Sequence, residues 1–214
     1  MSVETPHGEA RVLLHVAAEP RAALVLGHGA GGGVGARDLV AVRDAALAER
    51  VAVALVEQPY RVAGRRSPAP APQLDAAWVA VVARLRSRRL RGLPLVAGGR
   101  SSGARVACRT AAETGAVAVL CLAFPLQPPR RPPRPPAPIR LDELDAVTVP
   151  TLVVQGVNDP FGMPPPGPQR TVVQVAGDHS LRTDLDALTV AARAWLRTVV
   201  PGAAAEPSVR SLSR

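Results

Sequence analysis

Leu95-Val96-Ala97-Gly98-Gly99-Arg100-Ser101-Ser102-Gly103-Ala104 passes from an apolar, strand-like segment through a serine at G-x-S-x-G spacing and directly into a helix-like stretch. A serine on so sharp a strand-to-helix turn is forced outward. The turn strains the backbone at the serine, and a Cβ at either flanking glycine would collide with the neighbouring strand and helix. Ser101 is therefore the candidate nucleophile, and its partners have to come from elsewhere in the chain.

A hydroxyl attacks at neutral pH only when a base removes its proton, and the base needs a carboxylate to hold its tautomer. Of the four histidines, His7 and His15 precede or lie in the first predicted strand and His28 sits in a glycine run. His179 alone follows a late strand, in Ala176-Gly177-Asp178-His179-Ser180, and is the expected base. Asp159, in Gly156-Val157-Asn158-Asp159-Pro160-Phe161-Gly162 after the preceding strand, is the expected acid. Asp178 is the alternative, but a carboxylate adjacent to His179 reaches Nδ1 poorly while the ring points at Ser101.

The glycine run Gly27-His28-Gly29-Ala30-Gly31-Gly32-Gly33 closes another apolar strand. It lacks the lysine of a phosphate-binding loop, and its glycines are not followed in good register by the helix and acidic residue that G-x-G-x-x-G dinucleotide binding requires, so it is read as a loop donating a backbone N–H to an oxyanion. Ser102, after the nucleophile, offers one N–H and Ala30 the second. His28 orients this loop rather than carrying protons.

Seven apolar runs read as strands: 10–17, 22–26, 51–56, 95–97, 116–122, 151–155 and 171–175. Between them, helical periodicity covers 38–50, 73–91, 102–113, 141–147 and 184–200. The alternation predicts an α/β protein of three layers, a mainly parallel sheet of about seven strands with helices on both faces. The expected domain is 1–200, followed by a polar, disordered tail over 201–214. Residues 57–72 form a proline-rich loop at a strand's carboxyl end, where open α/β sheets place ligands, so Tyr60 and Arg61 are pocket-wall candidates. Residues 125–138 carry eight prolines with Arg130, Arg131 and Arg134 among them. That stretch reads either as a stiff excursion over the pocket, the favoured reading, or as a polyproline ligand for a partner protein.

Composition narrows the function classes. The net charge of +9 suggests nucleic acid, yet all 26 basic residues are arginine, as in a GC-rich coding sequence, and aromatic residues make up only 2%, leaving little to stack on bases. No nucleic-acid partner is expected. No apolar run approaches the length of a membrane span, about 18 residues, and the first residues lack the pattern of a secretion signal. A cytoplasmic protein without membrane attachment is expected. Cys108 and Cys121 have neither metal-site nor disulfide-scaffold spacing and read as buried apolar residues.

Gly27-His28-Gly29-Ala30-Gly31, Gly98-Gly99-Arg100-Ser101-Ser102-Gly103, Gln155-Gly156-Val157-Asn158-Asp159-Pro160-Phe161-Gly162 and Gly177-Asp178-His179-Ser180 together resemble the α/β-hydrolase superfamily, in particular a small lidless branch related to dienelactone hydrolases. The serine, acid and histidine follow the chain order of that superfamily. The resemblance implies an α/β-hydrolase fold without a large cap domain. It also implies hydrolysis through an acyl-enzyme, no metal and no organic cofactor. The expected activity is cleavage of a small ester, thioester or related acyl compound, carboxylesterase-like (EC 3.1.1). Arg100 and Arg61 are read as favouring acidic acyl groups. Dienelactone hydrolases proper use cysteine where Ser101 stands, so the resemblance does not carry their lactone specificity over to this chain. The chain is also similar to the hydrolase-like domain of a histone-acetyltransferase-complex subunit, so the alternative expectation is a catalytically idle binding module using its Arg/Pro-rich loop.

Overall fold

The computed structural model describes residues 1–130, 132–133 and 135–200; Arg131, Arg134 and the tail expected over 201–214 lie outside them. One sheet contains β1 (Ser2–Thr5), β2 (Gly8–His15), β3 (Ala22–Gly27), β4 (Val51–Glu57), β5 (Leu95–Arg100), β6 (Ala118–Leu122), β7 (Thr151–Gly156) and β8 (Arg170–Val175). Their spatial order is β1-β2-β4-β3-β5-β6-β7-β8. All pairs from β4 to β8 are parallel, while β1 with β2 and β2 with β4 are antiparallel. The helices are α1 (Arg37–Ala48), α2 (Pro59–Val62), α3 (Ala71–Arg86), α4 (Ser102–Thr114), α5 (Leu141–Asp145) and α6 (Leu185–Val199).

The central strands are uninterrupted apolar runs because both of their faces are covered. Side chains alternate across the sheet: Ala23 and Val25 of β3 join the core beneath α3 and α4, with Trp78, Ala104 and Ala107. Ala22, Leu24 and Leu26 join the opposite core beneath α1 and α6, with Leu39, Val42, Leu188 and Ala192. This gives the three layers. Among the described residues, the link from β6 to α5 adds no large cap.

Eight strands are present among the described residues rather than about seven. The additional one, β1, forms a hairpin with β2 and contributes a single buried side chain, Val3, too little periodicity to read from sequence. Within the expected loop 57–72, Pro59 starts the one-turn α2, and α3 begins at Ala71 with Pro72 in its first turn, where a missing N–H costs nothing. Gly115 closes α4 in the left-handed conformation, φ 64°. Among the described residues no helix is long and apolar enough to cross a membrane.

The layer of α1 and α6 is fastened at one end by charge. Arg193 and Arg197 of α6 both donate to the buried carboxylate of Glu49, just past α1, at 2.7–3.0 Å. The Arg197 hydrogen bonds first, then those of Arg193, overcome the cost of burial and hold Glu49 at about 2 instead of 4.5. A depressed carboxyl pKa contributes stability above the unfolded value and loses it as pH falls through the folded one. Glu49→Gln is expected to cost about 1–2 kcal/mol at pH 7, discounted because the two arginines are half-exposed. It should also flatten the decline in stability between pH 5 and 2, as followed by urea unfolding across that range.

Candidate active site

The carboxyl ends of β3, β5, β7 and β8 lie on one edge of the sheet, and their loops bring the expected residues together. Ser101 follows β5 with φ 53° and ψ −109°, a strained conformation for a residue with a Cβ. The glycines around it are required by contact. A Cβ on Gly103 would stand 2.4 Å from the Gly27 carbonyl oxygen, and one on Gly99 2.6 Å from the same oxygen. Strand β3 and the start of α4 therefore touch backbone to backbone, which holds the turn.

Ser101 Oγ lies 2.9 Å from His179 Nε2, and His179 Nδ1 lies 2.8 Å from Asp159 Oδ2. A carboxylate only accepts, so Nδ1 carries the proton and Nε2 is left to accept from the serine. Asp159 is held on both oxygens: Oδ2 also accepts from Gln155 Nε2 at 2.8 Å, and Oδ1 accepts from the Phe161 N–H at 2.9 Å. Its side chain is 1% exposed. The Phe161 ring packs on the His179 imidazole with centroids 4.2 Å apart. Asp178 is turned away, its Oδ1 accepting from the N–H and the hydroxyl of Ser180.

Gln155 and Gly156 were not recognisable as site residues in the sequence. Gln155 is wholly buried, and its amide nitrogen faces three acceptors, Asp159 Oδ2 and the carbonyls of Phe124 and Gly162. Those acceptors fix the orientation of the amide, since an oxygen there would face only lone pairs. The one available signal was a glutamine inside the otherwise apolar β7. Gly156 lets the histidine loop approach, because a Cβ would meet the Asp178 carbonyl oxygen at 2.5 Å.

The glycine loop after β3 is held from behind. His28 Nε2 accepts from the Gln58 N–H, which leaves Nδ1 protonated to donate to the Gly29 carbonyl at 2.8 Å. Burial lowers the His28 pKa, in keeping with a neutral ring. Tyr60 is buried, and its hydroxyl donates to the Ala30 carbonyl at 3.2 Å. In a trans peptide the N–H points opposite the preceding C=O, so fixing the Gly29 carbonyl fixes the direction of the Ala30 N–H. Among the described residues, neither the Ala30 nor the Ser102 N–H has a protein acceptor.

Arg100 braces the site. Its Nη2 donates to the His179 carbonyl at 3.0 Å, and its Nε pairs with Asp38 of α1 at 2.9 Å. Asp38 is 1% exposed; burial raises its pKa, with the Arg100 charge acting against that rise. Asp38, in the first turn of α1, is the counter-ion of Arg100. Arg61, on α2, is half-buried beside Tyr60. The base of the 125–138 loop is tied to the Asp159 turn, with the Gln127 N–H donating to the Phe161 carbonyl at 2.8 Å. Cys108 and Cys121 are free and buried, their sulfurs 3.5 Å apart.

A protein-family profile described as an alpha/beta hydrolase domain matches residues 20–192. No curated protein sequence matches the chain. Among solved structures, the chain is similar to a lidless α/β serine hydrolase of Xanthomonas campestris, at TM-score 0.76 and 18% identity over 95% of each chain. It is similar to Est1E of Butyrivibrio proteoclasticus with ferulic acid bound, at TM-score 0.75 and 17% identity, covering 93% of this chain and 98% of that one. It is also similar to a dienelactone hydrolase of Anabaena variabilis, at TM-score 0.75 and 16% identity, covering 94% and 97%. At such identities the likeness is one of fold.

Proposed function

The chain belongs to the alpha/beta hydrolase domain family, and on that footing we propose that it is a serine hydrolase cleaving a small ester, thioester or related acyl compound, carboxylesterase-like in its chemistry. The observation that carries this reading is the unbroken hydrogen-bonded line from Ser101 Oγ through His179 to Asp159. His179 Nε2 takes the serine proton as Oγ attacks the carbonyl carbon, and Asp159 holds the imidazolium that results. The Ser102 and Ala30 N–H groups receive the oxyanion, and His28 and Tyr60 keep the loop in place. As the intermediate collapses, His179 returns the proton to the leaving group. A water then attacks the acyl-enzyme by the same route, releasing the acid and restoring Ser101.

A fluorophosphonate probe tests this directly. Wild-type protein is expected to be labelled at Ser101 and Ser101→Ala not at all; an unlabelled folded wild type, or equal labelling of both, would sink the reading. A set of p-nitrophenyl esters of graded chain length would then define the acyl group.

Gln155 touches no substrate in this scheme and acts through Asp159. Gln155→Leu is expected to lower kcat about tenfold, the worth of a hydrogen bond to a charged group, with little change in KM. The acidic limb of the kcat/KM profile should move as well. An unmoved limb would reduce Gln155 to a packing role.

A further inference from the structure

The ion pair of Asp38 and Arg100 stands beside the Ser101 turn and has no part in the proton transfers described above. Asp38, in the first turn of α1, is 1% exposed, and Arg100, the last residue of β5, is 17% exposed. Arg100 Nε lies 2.9 Å from Asp38 Oδ2, yet the approach is too bent for a hydrogen bond, so the contact is one of charge. A buried ion pair adds little stability over apolar side chains of similar volume. What sets this one apart is the rest of what the guanidinium touches.

Its Nη2 donates to the His179 carbonyl at 3.0 Å. Its Nη1 lies against the glycine loop, where a Cβ on Gly29 would stand 3.2 Å away and one on Gly32 3.8 Å away. One planar group therefore abuts both the loop that carries the base and the loop that carries Ala30. The ring of His179 is held by Ser101 and Asp159, and its main chain by Arg100. Electrostatics join the same groups. The charges of Arg100 and, more weakly, of His179 act on the Asp38 carboxyl against the rise that burial causes. The other charged groups here are Asp159 on His179 Nδ1, Asp178 and Arg182 in the histidine loop, and Arg37 beside Asp38.

We propose that Asp38 is a positioning residue of the hydrolytic site: through Arg100 it fixes the His179 main chain and the glycine loop about Ser101, and its charge cancels that of Arg100 beside the imidazolium. The imidazolium formed at each proton transfer then meets a neutral pair rather than a bare guanidinium. Neither side chain touches the substrate in this scheme. The inference rests on the serine-hydrolase reading and adds a residue from α1 to its machinery.

The rate of fluorophosphonate labelling tests it. Ser101 Oγ bonds to phosphorus as phosphorus–fluorine breaks, the serine proton passing to His179 and fluoride leaving. Asp38→Asn is expected to lower the maximal labelling rate about tenfold, as displacement of a catalytic group does, while the probe concentration for half-maximal rate changes by less than about twofold. The uncompensated guanidinium disfavours the imidazolium, so the acidic limb of the labelling profile should move to lower pH. Removing both charges in Asp38→Asn/Arg100→Gln should return the limb to its wild-type position. The maximal rate should stay low, near that of Arg100→Gln alone, because the two residues act as one unit. That double variant leaves neither charge buried without its partner, so its comparison with Arg100→Gln decides the question even where Asp38→Asn fails to fold. A wild-type rate in either single variant, an unmoved limb in Asp38→Asn, or a double variant whose loss is the product of the single losses would overturn the positioning role and leave the hydrolase reading intact. Wild-type protein that takes no label would instead remove the hydrolase reading.

Discussion

Asp159→Asn is expected to lower kcat about 10⁴-fold while the protein stays folded, the loss that follows when a catalytic histidine is held in the wrong tautomer. The surroundings of Asp159 leave the amide no good orientation. With its NH₂ at the Oδ2 position, it would face the Gln155 amide nitrogen and oblige His179 to protonate Nε2, removing the acceptor for the serine proton. With its NH₂ at the Oδ1 position, it would oppose the Phe161 N–H, donor against donor. Steady-state kinetics on any cleaved ester, or the rate of fluorophosphonate labelling, reads the effect. Asp178→Asn provides the contrast, because its carboxylate accepts from Ser180 and not from His179. If Asp178→Asn produced the large loss and Asp159→Asn a loss under tenfold, the acid would be misassigned.

Gly103→Ala carries the largest expected cost in stability. The new methyl would stand 2.4 Å from the Gly27 carbonyl oxygen and 2.5 Å from its carbon, and both belong to backbone in the centre of the sheet rather than to a side chain that can swing away. Separating β3 from α4 there disturbs the packing on which the turn depends, at about 3–5 kcal/mol. For a domain of this size each kcal/mol moves Tm by about 2–4 °C, so a fall of roughly 10 °C is expected in thermal unfolding. Labelling of Ser101 should slow as well. Gly33→Ala, where a Cβ would meet nothing within 4 Å, should change Tm by no more than a degree or two. A Gly103→Ala protein as stable as the Gly33→Ala control would show that the elbow has slack that these contacts deny.

The serine, acid and histidine were legible because each sits in a local pattern: a glycine-framed turn, an Asp-Pro turn and a Gly-Asp-His loop, each after an apolar run. Strand and helix order was legible for a similar reason. Apolar runs buried on both faces and helical periodicity are properties of neighbouring residues. The β1 hairpin escaped because one inward side chain makes no pattern, and α2 because a single turn started by proline resembles any other turn.

Arg100 shows where local reading stops. In sequence it is an arginine beside Ser101, and its charge invites a role toward a substrate. In the structure that charge faces Asp38, 62 positions earlier, and its second arm holds the His179 carbonyl, 79 positions later. Gln155 is similar: its position in an apolar strand marked it as odd, but its acceptors come from the ends of β6 and the Asp159 turn. Sequence alone thus determined the elements, their order and which three residues could meet, since those depend on periodicity and turn chemistry. The tertiary structure decided what each polar side chain bonds to, because a buried donor or acceptor takes the partner that the strand order brings within about 3 Å. At the Gly98–Gly103 turn, the fold sets Gly27 against Gly103 and gives Arg100 to Asp38.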